Sequence, residues 1–451
     1  MDRRRFLKVA GLAGLSVMAP LGLREGNAGQ AKYGGPYWIT VNAGGGWDPT
    51  ITFDPKGGKA MDRASVNQSY APGEITSSGK IPHAPTALMP GGVLAASCAS
   101  FLDAYHDRIM VMNGIDTTTN NHDAGSRTIW SGQLAEGYPS FAALVAAQAL
   151  EKMDLPMAYL SNGGYDSTGG LLPLTRVSGT DSIQRLAYPN IRDPNDAKSD
   201  LYNSQATASR IHAAQTARLE AMQGRQSLSS ARNAMGSLFL ARSSNGGLAA
   251  LGEALKGKEL VRIEDIPKLN LIPDDNKDEL NDAERLMQQA QIALYAFKTG
   301  GAVSANLDIG GFDSHSNSDN QQTSQQMQIL VALDYLYSQL EVMGIADKTY
   351  VLVGSDFGRT PYYNDADGKD HWNITSMLLS GPKIPGNVVV GATDAEFKPK
   401  TVNTKTLATD GTGIRIEPRH IHAALRKIAG LTGTDLDTQF PLAGETLPLF
   451  G

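Results

Sequence analysis

The stretch that most constrains the fold is a short apolar run that ends abruptly in charged residues. Residues 350–354 read YVLVG, and the next five residues read SDFGR. Parallel strands covered on both faces are continuous apolar runs of this kind. Ligands of open α/β sheets bind beyond the carboxyl ends of such strands. The run therefore predicts a buried strand with Asp356 and Arg359 at a binding edge. The alternative is that Asp356 caps the next segment.

The same alternation of apolar runs and helical patterns continues along the chain. Strands are predicted at residues 37–41, 108–112, 157–160, 302–309, 374–379 and 387–390, and helices at 93–105, 140–152, 323–343 and 418–428. This order predicts an α/β fold, a mainly parallel sheet flanked by helices. Residues 193–298 instead carry apolar residues at helical spacing among many polar ones. We therefore expect a core formed by residues 29–192 and 299–451, with residues 193–298 as a helical insertion or cap.

The first residues predict export. The chain begins MDRRRFLK and continues with a short apolar segment. Paired arginines ahead of such a segment are typical of a twin-arginine signal, which we place at residues 1–28. The twin-arginine translocase is then a partner during export, and the location is periplasmic or secreted. The apolar segment is interrupted by glycines and Pro20, so we expect no stable membrane anchor.

Charge and cysteine content exclude some functions. Without the five basic and two acidic residues of the predicted signal, 35 basic residues face 44 acidic ones. Such an acidic surface argues against nucleic acid as a partner. The single cysteine, Cys98, has no partner for an internal disulfide. The fold must therefore depend on a large apolar core, which a chain of this length can bury.

Acids and histidines recur soon after the predicted strands. They are Asp48 with Asp54, His122 with Asp123, Asp313 with His315, and Asp356 with Asp370 and His371. Mixed carboxylate and imidazole ligands suit zinc, manganese or iron, and carboxylate-rich sets also suit magnesium or calcium. The four segments predict a shared site for a divalent metal ion. The alternative is that each acid hydrogen-bonds within its own loop.

These segments also carry a resemblance to a known family. The motifs are GGGWD at residues 44–48, FDPK at 53–56, NHD at 121–123, GGFDSH at 310–315, SDFGRTP at 355–361 and DHW at 370–372. In this order they resemble the bacterial family called domain of unknown function 1501. That family is similar to the alkaline phosphatase/sulfatase superfamily. The resemblance implies an alkaline phosphatase-like fold with metals at the carboxyl ends of its strands.

The resemblance implies roles for particular residues. The implied metal ligands are Asp48, Asp123, Asp313, His315, Asp356 and His371, and the implied catalytic residues are Asp123, His122 and Arg359. Asp123 stands where phosphatases of the superfamily carry a nucleophilic serine. It can bind a metal or accept a phosphoryl group, but it cannot act as a serine alkoxide. Phe357 stands where the superfamily has a metal-binding histidine.

Alternative roles remain open for three residues. The alternative role of Asp123 is to cap a helix. His122 is expected to bind metal or to act as a general acid. Arg359 is expected to clamp a phosphate or sulfate oxygen, or else to pair with Asp365 or Asp367.

The expected function is metal-dependent hydrolysis of phosphate or sulfate esters, with a small-molecule or glycan ester as substrate. The ion would be zinc, manganese, calcium or magnesium, acting as a Lewis acid. One alternative is a hydrolase that forms no covalent intermediate. The other is a catalytically silent, metal-binding envelope protein that recognises a ligand or partner, since the serine and a metal-binding histidine are both missing.

Overall fold

The computed structural model describes residues 32–451, except residues 60–61, 154, 156, 177–178, 194–195, 197, 229–230, 233–234 and 237–246. The predicted export signal at residues 1–28 lies outside the described residues. Among the helices that are described, none is long and apolar enough to cross a bilayer.

A large, mainly parallel sheet forms the centre of the molecule. In chain order the strands are β1 (Tyr37–Ala43), β2 (Thr76–Ser78), β3 (Ile81–His83), β4 (Ala87–Leu88), β5 (Ala96–Ser97), β6 (Ile109–Asp116), β7 (Tyr159–Ser161), β8 (Thr175–Arg176), β9 (Ser304–Ile309), β10 (Thr349–Ser355), β11 (Gly358–Arg359), β12 (His371–Trp372), β13 (Ile374–Ser380) and β14 (Val388–Val390). Eight of them form one sheet in the order β14-β6-β13-β10-β1-β9-β7-β8. Only β13 is antiparallel to its neighbours, β10 and β6. This sheet confirms the predicted fold class.

The helices lie mainly on the two faces of this sheet. They are α1 (Cys98–Tyr105), α2 (His122–Ser131), α3 (Phe141–Leu150), α4 (Thr180–Ala187), α5 (Gln205–Arg225), α6 (Gly247–Leu255), α7 (Asp274–Lys277), α8 (Asn281–Lys298), α9 (Ser318–Val342), α10 (Pro418–Ala429) and α11 (Asp435–Gln439). The helix predicted at residues 93–105 begins only at Cys98. The reason is that Ser97 caps it, and β5 pairs with β4 just before it.

The central strands are buried on both faces, as the continuous apolar run predicted. Val351 and Val353 of β10 pack into one core cluster together with α1, α6, α8 and α9. Tyr350 and Leu352 point the other way, into a cluster shared with α2, α3 and α10. Apolar layers therefore cover both faces of the sheet, and polar side chains lie at the edge formed by the carboxyl ends of its strands.

The segment predicted as an insertion contains two kinds of helix. No residue of α5 is buried. In contrast, α8 buries Leu286, Leu294 and Phe297 and packs against α9 and β9. The boundaries 193 and 298 stay a prediction, but α8 belongs to the layer that supports the sheet.

Candidate metal centre

The predicted site residues meet at one edge of the sheet. Asp356 follows the last residue of β10 directly, and Asp313 lies in the loop after the neighbouring β9. His122 is the first residue of α2, where the side chain of Asn121 caps the helix by accepting a hydrogen bond from the backbone N–H of Ala124. His371 lies in β12, which pairs with β11.

Three imidazole rings converge on the carboxylate of Asp313. Its Oδ1 lies 3.0 Å from Nε2 of His315 and 3.1 Å from Nε2 of His371. Its Oδ2 lies 3.6 Å from Nε2 of His122. His122, Asp313 and His371 each offer one ligand atom within 4.8 Å of the other two. In the part of the chain that the structure describes, no other group of three or more His, Cys, Asp or Glu side chains is arranged in this way.

The other ring nitrogen of each histidine is held by an oxygen acceptor. Nδ1 of His122 lies 2.6 Å from Asp356 Oδ2, and Nδ1 of His371 lies 2.9 Å from the carbonyl oxygen of Asn120. Nδ1 of His315 lies 2.9 Å from Asp370 Oδ1. Because these oxygens only accept, each Nδ1 donates; a neutral ring then keeps its lone pair at Nε2, whereas a protonated ring also donates from Nε2 to Asp313. Metal-binding histidines are commonly oriented in this way.

The cluster fits one divalent ion. Two nitrogen ligands of a tetrahedral zinc, each about 2.0–2.1 Å from the ion, lie about 3.3 Å apart. The oxygen–nitrogen separations around Asp313 are 3.0–3.6 Å. The ligand atoms of His122, Asp313 and His371 lie within 4.8 Å of one another, so small side-chain movements would bring them to an ion. The side chains of His122 and Asp313 remain 41% and 50% exposed, so solvent and ligands reach them. A set rich in imidazole suits zinc, manganese or iron better than magnesium or calcium, which prefer oxygen.

The local electrostatics favour charged groups here. Burial opposes ionisation of Asp313, but hydrogen bonds with Arg359 and His371 outweigh it and lower its pKa to about 2. The hydrogen bond to Asp356 raises the pKa of His122. The carboxylates are therefore ready to bind a cation, which must compete with a proton at His122.

Asp356 supports His122 instead of facing the cluster. Its side chain is 1% exposed, and its Oδ2 is taken by His122. Its Oδ1 accepts hydrogen bonds from the backbone N–H of Gly45, at 3.2 Å, and from Ser355 Oγ, at 2.8 Å. We predicted a direct ligand. With both oxygens engaged, the carboxylate fixes the ring of His122.

The structure corrects the prediction that Arg359 clamps a substrate anion. Its side chain is fully buried. The guanidinium donates to Asp313 Oδ1 at 2.8 Å and to the backbone carbonyls of Gly45, Gly46, Phe312 and Lys369. It therefore joins the separate glycine-rich segments and positions Asp313.

The alternative predicted for Arg359, an ion pair with Asp365 or Asp367, is also wrong. Both of these acids pair with Arg63.

Asp48, predicted as a metal ligand, is not brought into the cluster. Its Oδ2 pairs with Nζ of Lys369 at 2.6 Å, and both side chains are almost fully buried. Its Oδ1 accepts from the backbone N–H and the hydroxyl of Thr50. This carboxylate is therefore neutralised within the protein.

Asp123 lies beside the cluster but outside the group of ligand atoms. It is the exposed second residue of α2, and Asn121, not Asp123, caps the helix. The alternative of an N-cap role is therefore wrong. A carboxylate in the first turn still interacts favourably with the helix dipole.

Sequence reasoning named Asp370 among the acids of the site without giving it a role, and it overlooked Lys369. Asp370 was visible beside His371 as a second acid, and it holds His315. Lys369 gave no signal, because lysine is almost never fully buried unless it is paired.

Phe357 fills the inner side of the cluster. Its ring centroid lies 4.8 Å from that of His122 and 4.4 Å from that of His371. The ring is fully buried. It therefore holds both imidazoles by packing.

The model of the family described as "Protein of unknown function (DUF1501)" matches residues 37–412. The chain belongs to this family. The predicted membership is thereby confirmed, and all the residues of the candidate metal centre lie within the match. Among curated proteins no match is found.

Solved structures similar to this chain include alkaline phosphatases and sulfatases. The alkaline phosphatase from the Antarctic bacterium TAB5 is 10% identical, with 89% of this chain and 99% of that chain covered and a TM-score of 0.34. A 2-O GAG sulfatase is 10% identical, with 89% and 72% covered and a TM-score of 0.32. The lipoteichoic acid synthase from Listeria monocytogenes is 10% identical, with 93% and 75% covered and a TM-score of 0.34.

Proposed function

We propose that this protein is an exported, metal-dependent hydrolase of phosphate or sulfate esters. The observation that carries the proposal is the convergence of His122, His315 and His371 on Asp313, with every Nδ1 held by an acceptor. With the imidazoles neutral, such a set of lone pairs would bind a cation. His122, Asp313 and His371 would hold the ion, and His315 lies next to them.

A divalent ion bound there would supply Lewis acidity, which polarises an ester oxygen and activates water. The protein supplies position and charge. Asp356 and Asp370 orient two imidazoles, and Arg359 fixes the carboxylate of Asp313. The partial exposure of His122 and Asp313 makes them accessible to an ester.

An anionic ester also suits the local electrostatics. The first residue of α2 is His122 itself, so the positive end of this ten-residue helix lies at the cluster. Phosphate and sulfate groups are favoured at such helix ends. The carboxylate of Asp123 in the same turn repels the negative charge of such an ester. The substrate should therefore bind weakly until a metal ion is present.

The second candidate is a catalytically silent metal-binding envelope protein. The burial of Arg359 favours it, because the arginine expected to hold the anion cannot reach one. Ser126 is the fifth residue of α2, away from its N-terminal end, and so does not replace the missing serine.

Export and the substrate class belong to the same proposal. The N-terminal motif supports the twin-arginine translocase as a partner and a periplasmic or secreted location. A glycan ester is one form of the substrate. Replacement of Arg4 and Arg5 by lysine should keep the protein inside the cell, as cell fractionation would reveal; unchanged export would remove this part of the proposal.

The test of hydrolysis uses 4-nitrophenyl phosphate and 4-nitrophenyl sulfate. Protein stripped by a chelator and then supplied with zinc or manganese should cleave at least one of them, and the stripped protein should not. His371→Gln should lose that activity, whereas His212→Gln, on the exposed helix α5, should keep it. A loaded protein that cleaves neither ester, nor a panel of glycan sulfates and phosphates, would favour the silent candidate.

A further inference from the structure

The charges within the hydrogen-bond network of the candidate metal centre, to which the exposed Asp123 does not belong, are balanced by one divalent ion. Four carboxylates belong to its hydrogen-bond network: Asp48, Asp313, Asp356 and Asp370. Two buried cations, Arg359 and Lys369, lie in the same network. With neutral imidazoles, two negative charges remain, and a single divalent ion neutralises them. A second ion would leave an equal positive excess in a partly buried site, which is unfavourable.

The carboxylates that a second ion would need are already engaged. Lys369 Nζ lies 2.6 Å from Asp48 Oδ2 and also donates to the carbonyl of Val66. Both oxygens of Asp356 accept hydrogen bonds. Arg359 is surrounded by a carboxylate and four backbone carbonyls. The two side-chain cations therefore satisfy oxygen-rich positions that a metal ion would otherwise fill.

Packing closes the same space. The buried ring of Phe357 lies against both His122 and His371 on the inner side. Its edge also meets the backbone of Gly46, where an added Cβ would lie 2.5 Å from the ring. An apolar ring in this position offers no ligand atom.

We propose that this centre binds one divalent ion and excludes a second, because Arg359, Lys369 and Phe357 occupy the inner positions. The inference rests on the metal-binding part of the proposed function. In this inference the buried side chains of Arg359 and Lys369 supply the positive charge that a second metal ion would otherwise provide. The inference also assigns Asp48 to the protein core and not to the ligand set.

The experiment is a titration of the chelator-stripped full chain with Mn²⁺ alone. Elemental analysis after dialysis should give one manganese per chain, and electron paramagnetic resonance should show the spectrum of an isolated Mn²⁺ ion. Two ions per chain, or the signal of an exchange-coupled pair, would overturn the single-ion inference while leaving the proposed function intact. A folded chain that binds none would overturn both.

Two variants separate the contributions of charge and packing. The double change Asp48→Asn with Lys369→Met removes a buried ion pair together, which proteins often tolerate. Phe357→Leu leaves every charge in place. Each variant removes one of the groups proposed to exclude the second ion, so at least one folded variant should bind more than one manganese per chain; if the double variant fails to fold, Phe357→Leu provides the measurement. A ratio of one in every folded variant would show that Lys369 and Phe357 do not exclude a second ion.

Discussion

Two groups of histidines lie near opposite ends of helix α2, and they differ in what faces their rings. At the N-terminal end, the Nδ1 atoms of His122 and His371 are held by acceptors and their Nε2 atoms face Asp313. Near the C-terminal end, His422 donates from Nε2 to the carbonyl of Ile129 at 2.8 Å. Its Nδ1 has no partner among the described residues.

The second group lacks a carboxylate at the ring. Burial lowers the pKa of His422 to about 4, and it does the same to His420. Nδ1 of His420 accepts a hydrogen bond from the backbone N–H of Glu417. Histidine content alone therefore does not indicate a metal site. The converging carboxylate of Asp313 is what separates a candidate metal centre from two packed imidazoles.

Removal of that carboxylate should have the largest effect. Asp313→Asn keeps an oxygen acceptor for Arg359 but loses the negative charge between the imidazoles. Changes to supporting residues typically cost 10–100-fold in metal affinity, so the loss of a ligand should cost more than about 100-fold. Isothermal titration of stripped protein with zinc measures this. His422→Gln is the matched control and should bind zinc as tightly as the native chain does. If the two variants bind zinc with equal affinity, the carboxylate of Asp313 does not distinguish the two groups of histidines.

The support of His122 by Asp356 should have a smaller effect. Asp356→Asn keeps the shape but removes the charge that holds Nδ1–H of His122. We expect zinc affinity to fall by about 10–100-fold. Asp319→Asn is a suitable control, because Asp319 accepts hydrogen bonds from Tyr363 and Ser69 and not from a histidine. If the two variants bind zinc equally well, Asp356 has no role in the metal centre.

The buried histidines should affect the free energy of unfolding at acidic pH and not the metal affinity. His422 is neutral in the folded chain, whereas the unfolded chain binds a proton below about pH 6.5. The contribution of neutral His422 to the free energy of unfolding is therefore complete above that pH, and it is lost as the pH falls toward 4. Between pH 7 and 5 the loss should be about 2 kcal/mol. Urea unfolding at both pH values should show this loss reduced in His422→Gln; an unchanged difference would mean that other groups dominate.

Local sequence was sufficient for the parts of the molecule that depend on local rules. The continuous apolar run at residues 350–354 predicted β10, because a strand between two helical layers has no solvent-exposed face. Asp313 with His315 and Asp356 with Arg359 were visible because each pair lies within one short loop. The meeting of these loops followed from the topology of parallel strands.

The buried partners could not be predicted in the same way. Asp48 and Lys369 lie 321 residues apart, and nothing near either residue indicates the other. The partners of Arg359 are mostly backbone carbonyls, which any sequence provides. Whether a charged side chain faces solvent or core is decided by packing of distant segments, so the sequence left both roles of Arg359 open and both were wrong.

The reversed direction of β13 has a consequence for how this site could change over time. His122, Asp313 and Asp356 come after their strands, but His371 precedes β13, whose first residue pairs with the last residue of β6. An antiparallel strand begins where its parallel neighbours end. The return loop between Asp356 and His371 therefore starts and finishes at the same rim, with no crossover helix. Between Arg359 and Lys369 its length and sequence can vary between homologues while both anchors stay in place, so this part of the loop is where new ligand specificity would most easily arise.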